Sequence, residues 1–290
     1  MTDGHCEMRR AARIEAPERV AVGLVCGLLA LLVVVPVLRL GQAAFEPGVT
    51  GLVRMLTDPD LGTAVVGSLL VASGVTLLAV PLGVGLAFAL RRGDVPGTRL
   101  WHVVALLPVL VPDFVLGYSW TRAYGRAGLT DAVLGVHWPG LLGPQGIVVV
   151  LVVNAVPLAY LLTAAGLAVR SDGDLEHAAR VCGAGRFAVL RSVTLPLLRP
   201  AVAAAAVLTF VTALQSFAVP QILGSPAGFD TLTTRIYAAL SLASDPAAFT
   251  EAVVTALVLV VLAMVVIGPA DVVLGPRLRV ERIAATASGP

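Results

Sequence analysis

Lysine does not occur in this sequence. All 20 basic residues of the 290-residue chain are arginine. That excludes a P-loop lysine, a Schiff base and a lysine general base. Any ATP the protein uses must therefore be bound by another chain. Charge of either sign is scarce, at 13% of residues, about half the roughly 25% usual in soluble domains. A net charge of +2 offers no basic field for nucleic acid. The three cysteines, Cys6, Cys26 and Cys182, are odd in number and far apart. With no Cys-x-x-Cys they suggest neither a disulfide framework nor a zinc site. The histidines, His5, His102, His137 and His177, lie outside the apolar stretches or at their ends. Neither Gly-x-Ser-x-Gly nor His-Glu-x-x-His occurs, which argues against an intramembrane protease. No residue is assigned a catalytic role, and none a metal.

Apolar residues fill the space the charges leave. They make up 58% of the chain, with a mean hydropathy of +0.92. A soluble protein of this size cannot hide so much apolar surface. The composition predicts an all-α, polytopic membrane protein. A span needs about 20 mostly apolar residues, and six segments qualify: Val20 to Leu38, Leu61 to Leu90, Trp101 to Trp120, Ile147 to Val169, Ala201 to Leu223 and Ala252 to Ala270. Pro81, Pro108, Pro112, Pro157 and Pro220 predict kinks within four of them. Arg9, Arg10, Arg13 and Arg19 precede the first segment, as basic residues do in a signal sequence. That segment is long and lacks a clean small-x-small site, so an uncleaved first span is expected.

Arginine bias sets the expected orientation. With both termini cytoplasmic, fifteen of the arginines fall on the inner side. Arg39, Arg54, Arg122, Arg126 and Arg235 fall on the outer side. The expected organisation is a cytoplasmic tail at 1–19, a six-helix domain at 20–270 and a cytoplasmic tail at 271–290.

The inner loop at 170–197 is too polar to span a membrane and too patterned for a passive linker. Ser171 and Asp174 are spaced as a capping box, so a helix should start there. Asp172, Asp174 and Glu176 suit its first turns, where the helix dipole favours negative charge. Gly183 and Gly185 should end it, because glycine accepts positive φ. A second short helix is expected at about 187–193, before Pro196 and span five. The small face of Ala178, Ala179, Gly183 and Ala184 suits docking in a partner's groove. The alternative is an interfacial helix, which would want larger apolar residues.

This loop resembles the EAA loop of the inner-membrane permease subunits of binding-protein-dependent ABC importers. The family pattern is Glu-Ala-Ala, then Gly six residues after the Glu, then an aliphatic residue, any residue, Leu and Pro. The matching positions are His177, Ala178, Ala179, Gly183, Val193, Leu195 and Pro196. The family's glutamate is replaced by His177, with Glu176 one place earlier. On a helix that shift turns a side chain by about 100°. The resemblance implies a type I importer permease in the bacterial cytoplasmic membrane. Its partners would be cytoplasmic ATPase subunits that bind the ATP, a second permease chain and an extracytoplasmic solute-binding protein, all within a lipid bilayer. The chain itself would hold no cofactor.

Among such permeases the chain looks most like the ferric iron group, related to those for thiamine, polyamines and aminoethylphosphonate. Leu107 to Tyr118, Phe217 to Phe229 and Thr231 to Tyr237 carry that likeness. Asp113 lies inside span three, where a carboxylate is costly and should face a cavity or a partner. It either favours a cationic solute or pairs structurally, for example with Asn154. Asn154, Gln215 and Gln221 are polar groups in apolar segments that either line a pathway or join helices. An ion-driven secondary transporter would share these features. It would not need the loop, and no repeat relates the two halves of this sequence.

Overall fold

The computed structural model describes residues 16–45, 48–93, 96–170, 178–183, 185–242 and 246–287. Among them every regular element is helical. The chain divides into two units, Met1–Arg54 and Met55–Pro290. In the first, helix α1 (Ala16–Phe45) has every side chain from Gly23 to Leu40 exposed. An apolar surface on all sides of a long helix suits lipid rather than water. Helix α2 (Gly48–Leu56) follows it.

The second unit is built on α3 (Pro59–Arg92), α7 (Pro144–Arg170) and α9 (Leu195–Gln215). The interface of α3 with α7 is the most extensive in the fold, and α9 packs on both. In lipid such contacts gain little from hydrophobic transfer, so close packing must hold them. Gly83 meets the backbone of α7 at Ala159 and Tyr160, and Gly166 meets Ala201 of α9. Val71, Val75, Ile147, Val150, Leu214 and Leu223 form the largest buried cluster. Two hydroxyls turn back onto their own helices. Thr76 donates to the Ala72 carbonyl at 2.7 Å and Thr163 to the Ala159 carbonyl at 2.8 Å, so neither is orphaned in an apolar medium.

Among the described residues, five helices are long and apolar enough to cross a membrane. The pair α4 (Thr98–Leu110) and α5 (Asp113–Tyr124) is broken, and makes a sixth where it is counted as one span. The third expected span is thus sharply bent rather than merely kinked. The bend is 101°. Pro112 is its cause. The residue before a proline is driven from the helical region, and Val111 is extended, with φ −90° and ψ 121°. Asp113 becomes the first residue of a new helix, where its charge suits the dipole. The short α6 (Leu129–Leu134) follows.

The fifth span also differs from its expected bounds. It starts before Ala201 and stops at Gln215. Pro220 has no N–H to give the Ser216 carbonyl four residues earlier. Thr233 donates its hydroxyl to that carbonyl instead, at 2.8 Å. The chain breaks at Ser216, and α10 (Ala218–Leu223) is a separate short helix. Before α9, the short helix expected at about 187–193 does not end at Val193. It begins as α8 (Arg186–Val189) and runs through a π turn (Leu190–Thr194) directly into α9. There the Leu195 N–H reaches the Leu190 carbonyl. The wider i→i−5 turn accommodates the proline without stopping the helix. Helices α11 (Leu232–Leu242) and α12 (Pro246–Ala287) complete the chain. The last helix continues beyond residue 270, the end expected for span six.

Candidate functional site

The bend at Val111–Pro112 places Asp113 against α7. There the Asn154 amide donates to Asp113 Oδ1, joining residues 41 apart in sequence. Both line a cavity of about 250 Å³ between α3, α4, α7 and α9. Its other walls include Val75, Val109, Leu151, Thr212 and Ser216. The Thr212 hydroxyl is committed to the Thr209 carbonyl at 3.0 Å. Ser216 is 8% exposed, and its hydroxyl has no hydrogen-bond partner among the described residues. The break that Pro220 imposes is what brings Ser216 to this wall. The cavity thus combines an acceptor carboxylate, an amide already directed at it and a free hydroxyl within apolar walls.

The two glutamines are placed elsewhere. Gln215 is exposed at the end of α9, and Gln221 is half-buried on α10. Neither lines this cavity. Ser216 and Thr212 were not singled out from the sequence. A serine four residues before a proline is the signal that marks the former.

The loop between α7 and α9 is partly described. Glu176 and His177 lie outside the described residues, as do Ser171, Asp172 and Asp174. Ala178 to Val181 form a helical turn. The Cys182 N–H donates to the Ala178 carbonyl at 3.0 Å and the Gly183 N–H to the Arg180 carbonyl at 2.9 Å. Gly183 closes the turn with φ +85°, the left-handed conformation that glycine adopts without penalty. The turn is largely exposed: Ala178 and Gly183 are exposed, Ala179 is half-buried, and Val181 is 87% exposed. Val193 and Pro196 are half-buried on the continuous helix, and Leu195 is exposed.

A third cluster went unread in the sequence. Arg235 of α11 donates to Asp58 at the start of α3 and, at 2.7 Å, to Glu251 of α12. Asp58 also caps α3 by accepting the Asp60 N–H at 3.2 Å. The Arg235 side chain is 17% exposed and binds three helices together. Its signal was an arginine on the arginine-poor side of the chain. Asp60, Asp230 and Glu251 share a cavity of about 630 Å³ with it. Arg235→Met should leave Asp58 and Glu251 facing each other without a cation. The acids are partly exposed, so the expected loss of roughly 2 kcal/mol lies between surface and buried pairs. A lowered unfolding midpoint in detergent checks it, and an unchanged midpoint would contradict the bridging role.

Comparison with known proteins places these features in one frame. The sequence profile of the family described as binding-protein-dependent transport system inner membrane component matches residues 79–280. The match spans the Asp113–Asn154 cavity, the Ala178–Gly183 turn and Arg235. The molybdenum transport system permease protein ModB of Escherichia coli (strain K12) is 36% identical over 167 residues, which cover 56% of this chain and 71% of that protein. A putative ferric transport system permease protein, FbpB 1 of Haemophilus influenzae, is 25% identical over 229 residues, 75% of this chain and 36% of that longer protein. A bacterial ABC transporter involved in the import of the acidic polysaccharide alginate has a chain of similar fold. Its TM-score is 0.72 at 18% identity, covering 89% of this chain and 94% of that one.

Proposed function

The chain belongs to the family of binding-protein-dependent transport inner membrane components, and on that premise we propose how this permease subunit of an ABC importer works. It forms half of a translocation pathway, and a second permease chain, a copy or a paralogue, forms the other half. Cytoplasmic ATPase subunits bind the ATP that this lysine-free chain has no P-loop to hold. An extracytoplasmic binding protein delivers the cargo. Arginine distribution supports cytoplasmic termini in a bacterial inner membrane.

The observation that carries this reading is the largely exposed helical turn at Ala178–Val181, closed by Gly183 at φ +85°. The helix that follows it reaches the core without a break, because α8, the π turn and α9 form one helix. A push passed from the turn to that helix would reach α9, which packs on α3 and α7. Small residues on the turn let a partner's groove approach closely. Glu176, His177, Ala178, Ala179 and Gly183 are proposed as the coupling surface. Val193, Leu195 and Pro196 anchor it to the membrane helix.

Ferric iron is the proposed cargo. The ferric-permease relative supports it, as does the likeness of the Leu107 to Tyr118 and Phe217 to Phe229 segments. Thiamine, a polyamine or aminoethylphosphonate would use the same machinery. Molybdate is a second reading, favoured by the 36% identity to ModB.

Purification from the native host in mild detergent, with mass spectrometry of what accompanies the chain, tests the assembly. An ATPase should co-purify, together with a second permease if the dimer is mixed. A chain that came out alone and folded would favour an ion-driven carrier instead.

A further inference from the structure

We propose that the cavity at the α4–α5 bend is a charge-selecting transit site, one that passes positively charged cargo and rejects oxyanions. This rests on the permease reading above. Three observations carry it. Asp113 and Asn154 meet inside the cavity. Among the described residues, no arginine or histidine lines it. Ser216, more than nine-tenths buried on its wall, keeps a hydroxyl without a partner.

An ionised carboxylate only accepts hydrogen bonds. Asn154 occupies one of its oxygens and fixes its direction. The remaining acceptor capacity faces the cavity. A doubly charged oxyanion entering there would meet a like charge, with no cation among this chain's described lining residues to offset it. In a partly apolar site, where screening is weak, that repulsion is severe. A cation meets the opposite field, and the Ser216 oxygen adds a second ligand atom. One carboxylate and one hydroxyl make a weak site rather than a trap, which suits a place that cargo must leave. Asp113 is then the selecting charge, and Asn154 positions it.

The test uses the complete importer in liposomes, with this chain, its partner subunits and its binding protein. Uptake of radiolabelled Fe³⁺, putrescine and molybdate is measured beside ATP hydrolysis stimulated by the binding protein. The wild type should import Fe³⁺ or putrescine and not molybdate. Asp113→Asn should lower that uptake at least about tenfold while stimulated hydrolysis persists, since tenfold corresponds to a modest change in cation attraction. Asp113→Glu should restore most of it. Ser216→Ala removes a hydroxyl that bonds nothing in the protein, so the fold should stand unchanged while uptake falls several-fold. This variant keeps the test open if Asp113→Asn fails to assemble. Molybdate import by the wild type overturns the proposal, as does full uptake by both Asp113→Asn and Ser216→Ala. A wild-type assembly whose ATP hydrolysis ignores the binding protein would instead overturn the permease reading itself.

Discussion

Gly83→Leu should abolish accumulation of folded protein in the membrane. A Cβ at position 83 would sit 2.6 Å from the Ala159 Cβ, 2.7 Å from the Tyr160 nitrogen and 2.9 Å from the Ala159 carbonyl carbon. Two of these atoms are backbone and cannot rotate away. Relief requires parting α3 from α7, the central contact of the fold. Overpacking of an ordinary core costs typically 1–3 kcal/mol, and a clash with helix backbone should cost about 3 kcal/mol or more. Helices in lipid associate through such close approach, with little hydrophobic reserve to compensate. Gly85 is the control. It lies two residues along the same helix, is exposed, and a Cβ there meets nothing within 4 Å. Gly85→Leu should be tolerated and gain slightly in helix propensity. Size-exclusion profiles of the two variants in detergent, beside the wild type, decide the matter. Equal monodisperse peaks would show that α3 and α7 do not pack through Gly83.

The same contact shows what could be read from the sequence. Spans announce themselves through hydropathy, because lipid leaves a helix no other place for its backbone polar groups. Five spans, and the approximate location of the sixth, followed from that. Where helices bend was only half legible. Pro112 predicted a kink in span three. The 101° reorientation depends on how far Val111 extends, and packing sets that. Pro196 sits in the first turn of α9, at the start of span five as expected, and a π turn joins that turn to the short helix before it. Pro220 looked internal to span five and instead breaks the chain at Ser216. A proline states which hydrogen bond is missing, and tertiary partners such as the Thr233 hydroxyl determine what replaces it. Asp113 stood out because a carboxylate in an apolar segment is costly. Its position implies a structural partner, and Asn154 is the one it meets. The role of Arg235 was hidden, since its partners lie 177 and 16 residues away and no spacing rule links them.

Gly183→Leu should separate ATP hydrolysis from transport while leaving the protein in the membrane. A leucine side chain has open space at this position, since nothing lies within 4 Å of an added Cβ. The obstacle is conformational. At φ +85° a residue with a Cβ is strained, by roughly 1–2 kcal/mol for the left-handed region. That strain shifts the local equilibrium about tenfold away from the closed turn. The turn is exposed and no core packing depends on it, so folding should be spared. What is lost is the shape that a partner's groove would receive and the direction in which force reaches α8 and α9. Asparagine tolerates the left-handed region far better than leucine, so Gly183→Asn should retain most coupling. The pair therefore separates conformation from bulk. In liposomes carrying the full importer, Gly183→Leu should hydrolyse ATP at a basal rate without accumulating cargo. Gly183→Asn should do both. Normal uptake by Gly183→Leu would remove the turn from the coupling path, because no shape-dependent contact could survive that change. Loss of uptake in both variants would instead point to bulk, placing the partner's surface directly against residue 183.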